Sequence, residues 1–266
     1  MTDDLVSIIT SIHNSGKFIR RTIESVLRQT YGNWEMIITD DCSSDDGPQI
    51  VESYVAKDSR IKFLRLSENG GPGIARNNSL MNASGRVVAF LDSDDYWMPD
   101  KLEKQLALMK EKDCSVVYSS YLTCDSNNQV KGLVNCKRMV TYRRMVCDNA
   151  IGFLTMMYDR SKTGDMLLPT IRKRQDWGFN IQLLEKCGVA YGLPEPLAIY
   201  KIRPSSVSRG KFSLVKYNLA ISRDVVGFSR AGSVLMFTFV FMPLYCGKKI
   251  WNFFSTLRFK PSEVNA

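Results

Sequence analysis

A regular alternation of apolar and amphipathic stretches constrains the fold of this chain more than any other feature. Each predicted strand is five to seven residues long and mostly apolar, as expected for a strand that packs in a core. The stretch 17–28 that follows the first run places Ile19, Ile23 and Val26 on one face of a helix. The predicted strands are 5–10, 34–39, 61–66, 87–91 and 115–121. Strands that alternate with helices indicate βαβ units and a mainly parallel sheet.

Polar residues of unusual type come directly after these strands. His13 follows the first strand, Asp41 the second, and the acidic turn Asp92-Ser93-Asp94-Asp95 the fourth. Arg76 lies in the helix after the third. The carboxyl ends of parallel strands meet at one edge of a sheet, and open α/β sheets bind their ligands there. We therefore expect these polar residues to line one edge.

The acidic turn has two interpretations. Its three carboxylates within four residues repel one another, so they need a cation or solvent. A hard divalent cation that also binds substrate phosphates uses only one or two carboxylates. The alternative is a solvated acidic turn without a ligand. Pro99 follows the turn and opens a predicted helix, 99–112.

The glycine-rich stretch Asn69–Gly73 matches neither common phosphate-binding motif. It lacks the GK[ST] ending of a P-loop, and its glycines do not have the GxGxxG spacing of a dinucleotide site. The sequence therefore disfavours both a P-loop and a Rossmann dinucleotide site.

Beyond residue 125 the alternation weakens, although 154–158 and 197–201 predict two further strands. Between them, Arg172-Lys173-Arg174 precede Asp176 at the start of a predicted helix that continues through Leu184. A neighbouring positive charge favours the ionised carboxylate of Asp176. That residue either caps the helix and pairs with Arg174, or serves a function.

Charge and cysteine content narrow the function classes. The net charge of +9 lies in residues 201–266, with eleven basic and two acidic residues, whereas residues 1–200 hold 25 of each. Nucleic-acid binding requires the basic charge to be spread along a groove, so we expect no nucleic-acid partner. The seven cysteines are scattered without a CxxC pair, which indicates reduced thiols in the cytosol. The acidic N-terminus predicts no signal peptide.

The basic C-terminal part contains an uncharged run, 231–247, flanked by Arg230 and Lys248-Lys249. Its 17 residues fall short of the roughly 20 that span a bilayer. One interpretation is a buried core helix. The other, which we favour, is a segment that lies in an anionic membrane surface and is held there by its basic flanks.

Four motifs together resemble the inverting glycosyltransferases of family 2, which have the GT-A fold. They are VSIITSIHNSGKFIRRTIESVLRQTYGNWEMIITDDCSSD, NGGPGIARN, FLDSDDYWMPDKL and RQDW, in that order, and the resemblance extends over about 6–208. The relatives are bacterial enzymes that build O-antigen, capsule or teichuronic-acid polysaccharides. The resemblance implies an α/β GT-A fold with a mainly parallel central sheet flanked by helices.

The resemblance implies a UDP-sugar donor site. Asp41 would accept a hydrogen bond from uracil, and His13, where the family usually has tyrosine, would stack on the base. Arg76 would lie beside the nucleotide, with Asp92 orienting ribose and metal. Asp94 would be the main ligand of Mn²⁺ or Mg²⁺. The other residues assigned to the nucleotide sugar are Thr10, Ser11, Ser93 and Arg203.

The resemblance also implies an acceptor side. Asp176 would be the general base that takes the proton from an acceptor hydroxyl, and inversion would give a β linkage. Trp97, Arg174 and Trp177 would lie on the acceptor side. The chain departs from the family pattern twice: Gln175 replaces a common glutamate, and Arg203 replaces a common histidine.

These expectations divide the chain into a catalytic domain, 1–220, and a membrane-associating segment, 221–266. Within the catalytic domain, 1–122 would bind the nucleotide sugar and 123–220 the acceptor, an undecaprenyl-diphosphate-linked saccharide. The protein would lie on the inner face of a bacterial cell membrane as a peripheral or monotopic enzyme. The rival interpretations are a sugar nucleotidyltransferase, whose typical GxGxR loop is missing, and a catalytically inactive membrane-bound partner.

Overall fold

The structure is a computed structural model that describes residues 4–202 and 211–258. A single sheet of ten strands forms its centre. The strands are β1 (Val6–Ile12), β2 (Trp34–Asp40), β3 (Ile61–Arg65), β4 (Val87–Phe90), β5 (Tyr96–Trp97), β6 (Val116–Cys124), β7 (Val130–Val134), β8 (Met139–Thr141), β9 (Met157–Asp159) and β10 (Val189–Lys201).

The strand order is β3-β2-β1-β4-β9-β6-β10-β5, with β7 beside β6 and β8 beside β10. Strands β1 to β4 are parallel neighbours, and β9 inserts antiparallel between β4 and β6. Strand β10 is parallel to β6, so six strands run in a common direction. The predicted mainly parallel sheet is confirmed, and the fold is the GT-A fold.

Helices cover both faces of this sheet. They are α1 (Gly16–Leu27), α2 (Gly47–Val55), α3 (Pro72–Met81), α4 (Lys101–Glu111), α5 (Tyr142–Cys147), α6 (Arg160–Thr163), α7 (Gln175–Cys187), α8 (Lys211–Ala220), α9 (Arg230–Met236) and α10 (Met242–Arg258). Side chains of β1 alternate between two cores: Ile8 packs in the α1 core, and Ile9 packs with Phe90 in the α7 core. Burial on both faces explains why these strands read as continuous apolar runs.

The predicted strands before residue 122 correspond to β1–β4 and β6, to within three residues at each end. Strands β5, β7 and β8 and the short helices α5 and α6 were not predicted from the sequence. Strand β5 has only two residues, and they pair with Ala198 and Ile199 of β10. A two-residue strand forms only because it pairs with a strand that is distant in the sequence, and it is too short to show a periodic pattern.

The C-terminal segment is helical and docks on the domain along one face. Helix α8 continues into a π-helical turn, Ile221–Val225, so the predicted boundary at 220 falls inside a continuous helix. Helix α9 continues through a second π-helical stretch, Phe237–Phe241, into α10. The Phe241 ring lies 5.3 Å from the Trp177 ring of α7, measured between centroids.

The docked face of this helix repeats about every four residues. Phe237 and Tyr245 stack on either side of Phe241, at 5.5 and 5.9 Å. The opposite face is exposed and apolar, and it consists of Leu235, Phe239, Met242, Cys246 and Ile250. We call this set the outer stripe. The segment is therefore neither a fully buried core helix nor a detached tail.

Candidate active site

Register brings the ends of the parallel strands to one edge of the sheet. Ile12 at the end of β1 lies beside Asp40 at the end of β2, and Ile9 lies beside Phe90 at the end of β4. The residues after these strands, among them His13 and Asp41, therefore lie near one another. The expected convergence at one edge is present in the structure.

Asp41 connects this edge to the glycine-rich loop. Its carboxylate accepts hydrogen bonds from the backbone N–H groups of Gly70, at 2.7 Å, and Gly71, at 2.9 Å. Gly71 has φ +85° at the start of α3, a conformation that glycine adopts without strain. The Asp41 side chain is buried, yet a carboxylate has about four acceptor positions. Two backbone bonds leave capacity for a ligand N–H.

His13 is exposed beside Asp41 and has a fixed orientation. Its Nδ1 lies 2.8 Å from the Asp41 carbonyl oxygen, so Nδ1 carries the proton and donates. Asn69 donates to the same carbonyl at 3.0 Å. An exposed, oriented imidazole ring is a suitable surface for stacking against a planar base.

Two hydroxyl residues near the end of β1 precede His13 in the chain. Thr10 is fully buried, and its Oγ1 has no hydrogen-bond partner among the described residues. Ser11 is buried next to it. Because both side chains are buried, they could contact a nucleotide only if the binding of that nucleotide exposed them.

The structure separates the three carboxylates of the acidic turn. Asp92 forms an ion pair with Arg76 of α3, and Asp94 is partly exposed. Asp95 is buried and accepts a hydrogen bond from the Lys201 backbone N–H at 2.9 Å. The Asp95 carboxylate therefore links the acidic turn to β10, and Asp92 and Asp94 remain as the carboxylates that could face a ligand.

Ser93 anchors the acidic turn to α1. Its hydroxyl lies 2.8 Å from the hydroxyl of Ser15, and its carbonyl accepts a bond from Thr22 at 2.9 Å. The side chain is buried. These bonds fix the backbone that carries Asp92 and Asp94.

The donor set fits a divalent cation that also binds substrate phosphates. Within residues 4–202 and 211–258, no three His, Cys, Asp or Glu side chains form a metal-binding group. Mg²⁺ sites at phosphates need only one or two protein carboxylates, and Asp92 and Asp94 supply two accessible ones. Divalent metals are common in GT-A glycosyltransferases.

Asp176 lies in the first turn of α7, where the helix dipole favours a carboxylate. Its Oδ2 accepts a hydrogen bond from Asn149 Nδ2 at 2.8 Å. The N-cap residue is Arg174, at φ +67°, so Asp176 is not the cap. In the described part of the chain, Arg174 and Asp176 form no ion pair, and Arg174 Nε has no partner. Asp176 therefore neither caps α7 nor pairs with Arg174 in the described residues.

Close contacts of α3 bring the N-terminus of α7, which carries Asp176, next to the glycine-rich loop. A Cβ on Gly73 would overlap the side chain of Gln175, so glycine permits the N-terminus of α7 to approach the glycine-rich loop. Asn77 of α3 exchanges two hydrogen bonds with the backbone of Leu168, at 2.7 and 3.0 Å. Helix α3 therefore contacts Asp41 through its loop, Asp92 through Arg76, and the Asp176 segment through Gly73.

Two residues expected on the acceptor side are buried. Trp97 is 3% exposed and donates from Nε1 to the Leu154 carbonyl, at 2.9 Å. Trp177 is 1% exposed and donates to the Met145 carbonyl, at 2.7 Å. Burial leaves neither ring accessible to an acceptor, so their assignment to the acceptor side is corrected to a supporting role in the core. Arg203 lies outside the described residues.

The sequence gives no indication of Asn149, and it marks Gln175 only as a departure from the family pattern. Asn149 lies in the region Cys124–Gly152, which has no readable sequence pattern, and it reaches Asp176 only through the tertiary fold. Gln175 stands where relatives have glutamate, and the structure gives its side chain a packing position against Gly73. Gln175 belongs to the RQDW motif, whereas Asn149 lies 25 residues before that motif, and no local sequence pattern connects the two.

Comparison with known proteins gives consistent findings. A model of "Glycosyl transferase family 2" matches residues 7–162. TuaG of Bacillus subtilis (strain 168), named as a teichuronic acid biosynthesis glycosyltransferase, is 41% identical over 222 residues, 83% of this chain and 88% of TuaG. WfgD of Escherichia coli, a UDP-Glc:alpha-D-GlcNAc-diphosphoundecaprenol beta-1,3-glucosyltransferase, is 36% identical over 227 residues, 85% of this chain and 88% of WfgD.

A solved structure has the same fold. The crystal structure of S. aureus TarS 1-349 in complex with UDP superposes with a TM-score of 0.67 at 23% identity. The match covers 89% of this chain and 70% of the TarS chain. At that identity the likeness establishes the fold alone.

Proposed function

Because this chain belongs to glycosyltransferase family 2, we propose that it transfers a hexose or N-acetylhexosamine from a UDP-sugar to a lipid-linked saccharide. The acceptor group is a hydroxyl of a saccharide on undecaprenyl diphosphate, and the reaction inverts the anomeric configuration. The donor and acceptor in the name of WfgD support this choice. The name of TuaG supports a role in bacterial surface polysaccharide synthesis.

The observation that carries the proposal is the position of α3. This helix joins three groups that a sugar transfer needs: Asp41 at its loop, the Arg76–Asp92 pair on its first turns, and Asp176 beyond Gly73. A nucleotide that occupies the sheet edge would thus present its sugar toward Asp176. Preorganised groups that hold both reactants lower the entropic part of the barrier.

On the donor side, His13 stacks on uracil while Asp41 accepts the uracil N–H. Arg76 approaches the phosphates, because its guanidinium lies beside the acidic turn and is only slightly exposed. Asp92 and Asp94 would hold Mn²⁺ or Mg²⁺, which neutralises negative charge on the diphosphate when bound. Arg76 stabilises the departing UDP.

On the acceptor side, Asp176 takes the proton from the attacking hydroxyl. Its Oδ1 makes no hydrogen bond to any residue in 4–202 or 211–258, so this oxygen is available to the acceptor. The hydroxyl attacks the anomeric carbon from the face opposite UDP. An α-linked UDP-hexose therefore gives a β product.

The C-terminal helix places the enzyme on the inner face of the cell membrane. By length and composition, Arg230–Trp251 could cross a bilayer, with 22 residues and a mean hydropathy of 1.3. However, Phe241 packs on Trp177 of the catalytic domain, which keeps this helix beside the domain. An in-plane position buries the outer stripe in the interface and leaves basic residues near anionic headgroups.

The test combines turnover with a matched variant. We expect UDP release when the enzyme receives a UDP-hexose or UDP-N-acetylhexosamine and a diphosphate-lipid saccharide, and a β linkage in the product by NMR. Asp176→Asn should bind UDP-sugar normally while kcat falls about 10²–10⁴-fold, the usual worth of a positioned base. Glu185→Gln removes the same charge from an exposed site on α7 and should retain activity. A near-normal kcat in Asp176→Asn, or an α product, contradicts the proposed mechanism.

A further inference from the structure

We propose that the C-terminal helix positions the catalytic carboxylate, through a link from Lys248 of α10 to Asn149 and from Asn149 to Asp176. The inference rests on the proposed function, in which Asp176 is the general base. It makes the C-terminal helix a part of the active site in addition to its membrane role. Lys248 and Asn149 are positioning residues, because both act through Asp176.

The link consists of two short hydrogen bonds. Asn149 Nδ2 donates to Asp176 Oδ2 at 2.8 Å, and Lys248 Nζ donates to the Asn149 carbonyl at 2.7 Å. The Asn149 backbone therefore accepts a hydrogen bond from the C-terminal helix, and the Asn149 side chain donates one to the Asp176 carboxylate. A shift of Lys248 displaces the residue that orients Asp176.

A second set of contacts holds Lys248 in place. Its Nζ lies 3.6 Å from Asp148 Oδ1, and Arg144 lies 3.4 Å from the other oxygen of the same carboxylate. Asp148 is 4% exposed. A buried carboxylate needs cationic partners, so Asp148 draws Lys248 toward the loop that carries Asn149.

Asn149 fixes one carboxylate oxygen and leaves the other free. Asn180 of α7, fully buried, lies 3.5 Å from the Asn149 side-chain oxygen and orients the amide so that its NH₂ faces Asp176. With Oδ2 held, Oδ1 points to the acceptor in a single orientation. Misplacement of a reacting group by about 1 Å can cost about 10²-fold in rate.

Lys248 belongs to the docked face of the helix. It continues the spacing of Phe237, Phe241 and Tyr245, on the side opposite the outer stripe. Its neighbour Lys249 is exposed. The two lysines carry equal charge one residue apart, and only Lys248 reaches Asn149, so they form a matched pair for experiment.

The experiment uses the full chain with a short-chain, detergent-soluble diphosphate-lipid acceptor, which removes the need for membrane binding. We compare Lys248→Met, Lys249→Met and Asn149→Ala, with kcat expressed per UDP-binding site measured by calorimetry. This normalisation excludes any unfolded fraction. We expect kcat to fall about 10–100-fold in Lys248→Met and Asn149→Ala, with the KM for UDP-sugar unchanged. Lys249→Met should keep full kcat, and Lys248→Arg should regain most of it.

Each alternative outcome has a definite meaning. Normal kcat in Lys248→Met and Asn149→Ala, alongside an inactive Asp176→Asn variant, overturns the positioning link and leaves the proposed function intact. Equal losses in Lys248→Met and Lys249→Met indicate a charge effect and also overturn the link. A near-normal kcat in Asp176→Asn instead overturns the proposed function on which the inference rests.

Discussion

Replacing Phe241 by alanine tests whether the C-terminal helix is part of the folded domain. Phe241 is 5% exposed, and its ring lies between 5.3 and 5.9 Å from three other aromatic rings. Truncation of a buried phenylalanine costs about 3–5 kcal/mol, including about 0.5–1.5 kcal/mol for an aromatic pair. We expect the free energy of unfolding to fall by about 3–4 kcal/mol, the lower half of that range, because a surface-docked helix can relax into the space.

Phe239 provides the control, since it lies on the same helix and is 72% exposed. Phe239→Ala should change the free energy of unfolding by less than about 0.5 kcal/mol. It should instead weaken binding to anionic vesicles about tenfold, because burying a phenylalanine side chain is worth about 1.5–3 kcal/mol. Urea denaturation followed by tryptophan fluorescence measures the first quantity, and vesicle sedimentation measures the second. A loss below about 1 kcal/mol in Phe241→Ala, or equal effects of the two variants, refutes the docked helix.

Three further predictions concern the metal ion, the stacking of His13 on uracil, and the stability of the fold in acid. Transfer should stop in EDTA and return with Mn²⁺ or Mg²⁺, and Asp94→Ala should abolish it; full activity in EDTA would exclude the metal. His13→Ala should raise the KM for UDP-sugar about tenfold, since base stacking is worth about 1–3 kcal/mol, whereas His13→Tyr should be tolerated; an unchanged KM returns His13 to a structural role. Burial raises the pKa of Asp159, but hydrogen bonds from Arg86 and Ser161 outweigh it and hold that pKa below its ordinary value. Its folded-state pKa is then below the unfolded value of about 3.9, so its stabilisation is present above that pH and disappears as pH falls through the folded value. Urea denaturation between pH 6 and about pH 3 should show this loss, and Asp159→Asn should reduce it; an unchanged slope contradicts the ion pair with Arg86.

The first half of the fold was predictable because each strand and helix there carries its own local signal. Strands β1, β2 and β4 are buried along their whole length, so their sequences are mainly apolar, and helix α1 has a clear apolar face. Strand β3, at the edge of the sheet, is partly exposed and carries Lys62 and Arg65 among its apolar residues. Parallel pairing then fixes where their carboxyl ends meet. The edge position of His13 and Asp41 follows from this argument without coordinates.

What the sequence alone determined is therefore the α/β class, the parallel strands β1 to β4, the edge where the site forms, and the presence of an apolar, basic C-terminal segment. The tertiary structure decided how remote parts meet. In the tertiary structure, Asp95 hydrogen-bonds to β10, and Trp97 and Trp177 are buried. Asn149 donates a hydrogen bond to Asp176, and Phe241 and Lys248 of the C-terminal helix contact the catalytic domain. The physical reason is range: periodicity reports which face of an element is buried, whereas hydrogen bonds between residues 27 or 99 positions apart depend on packing that no local pattern encodes.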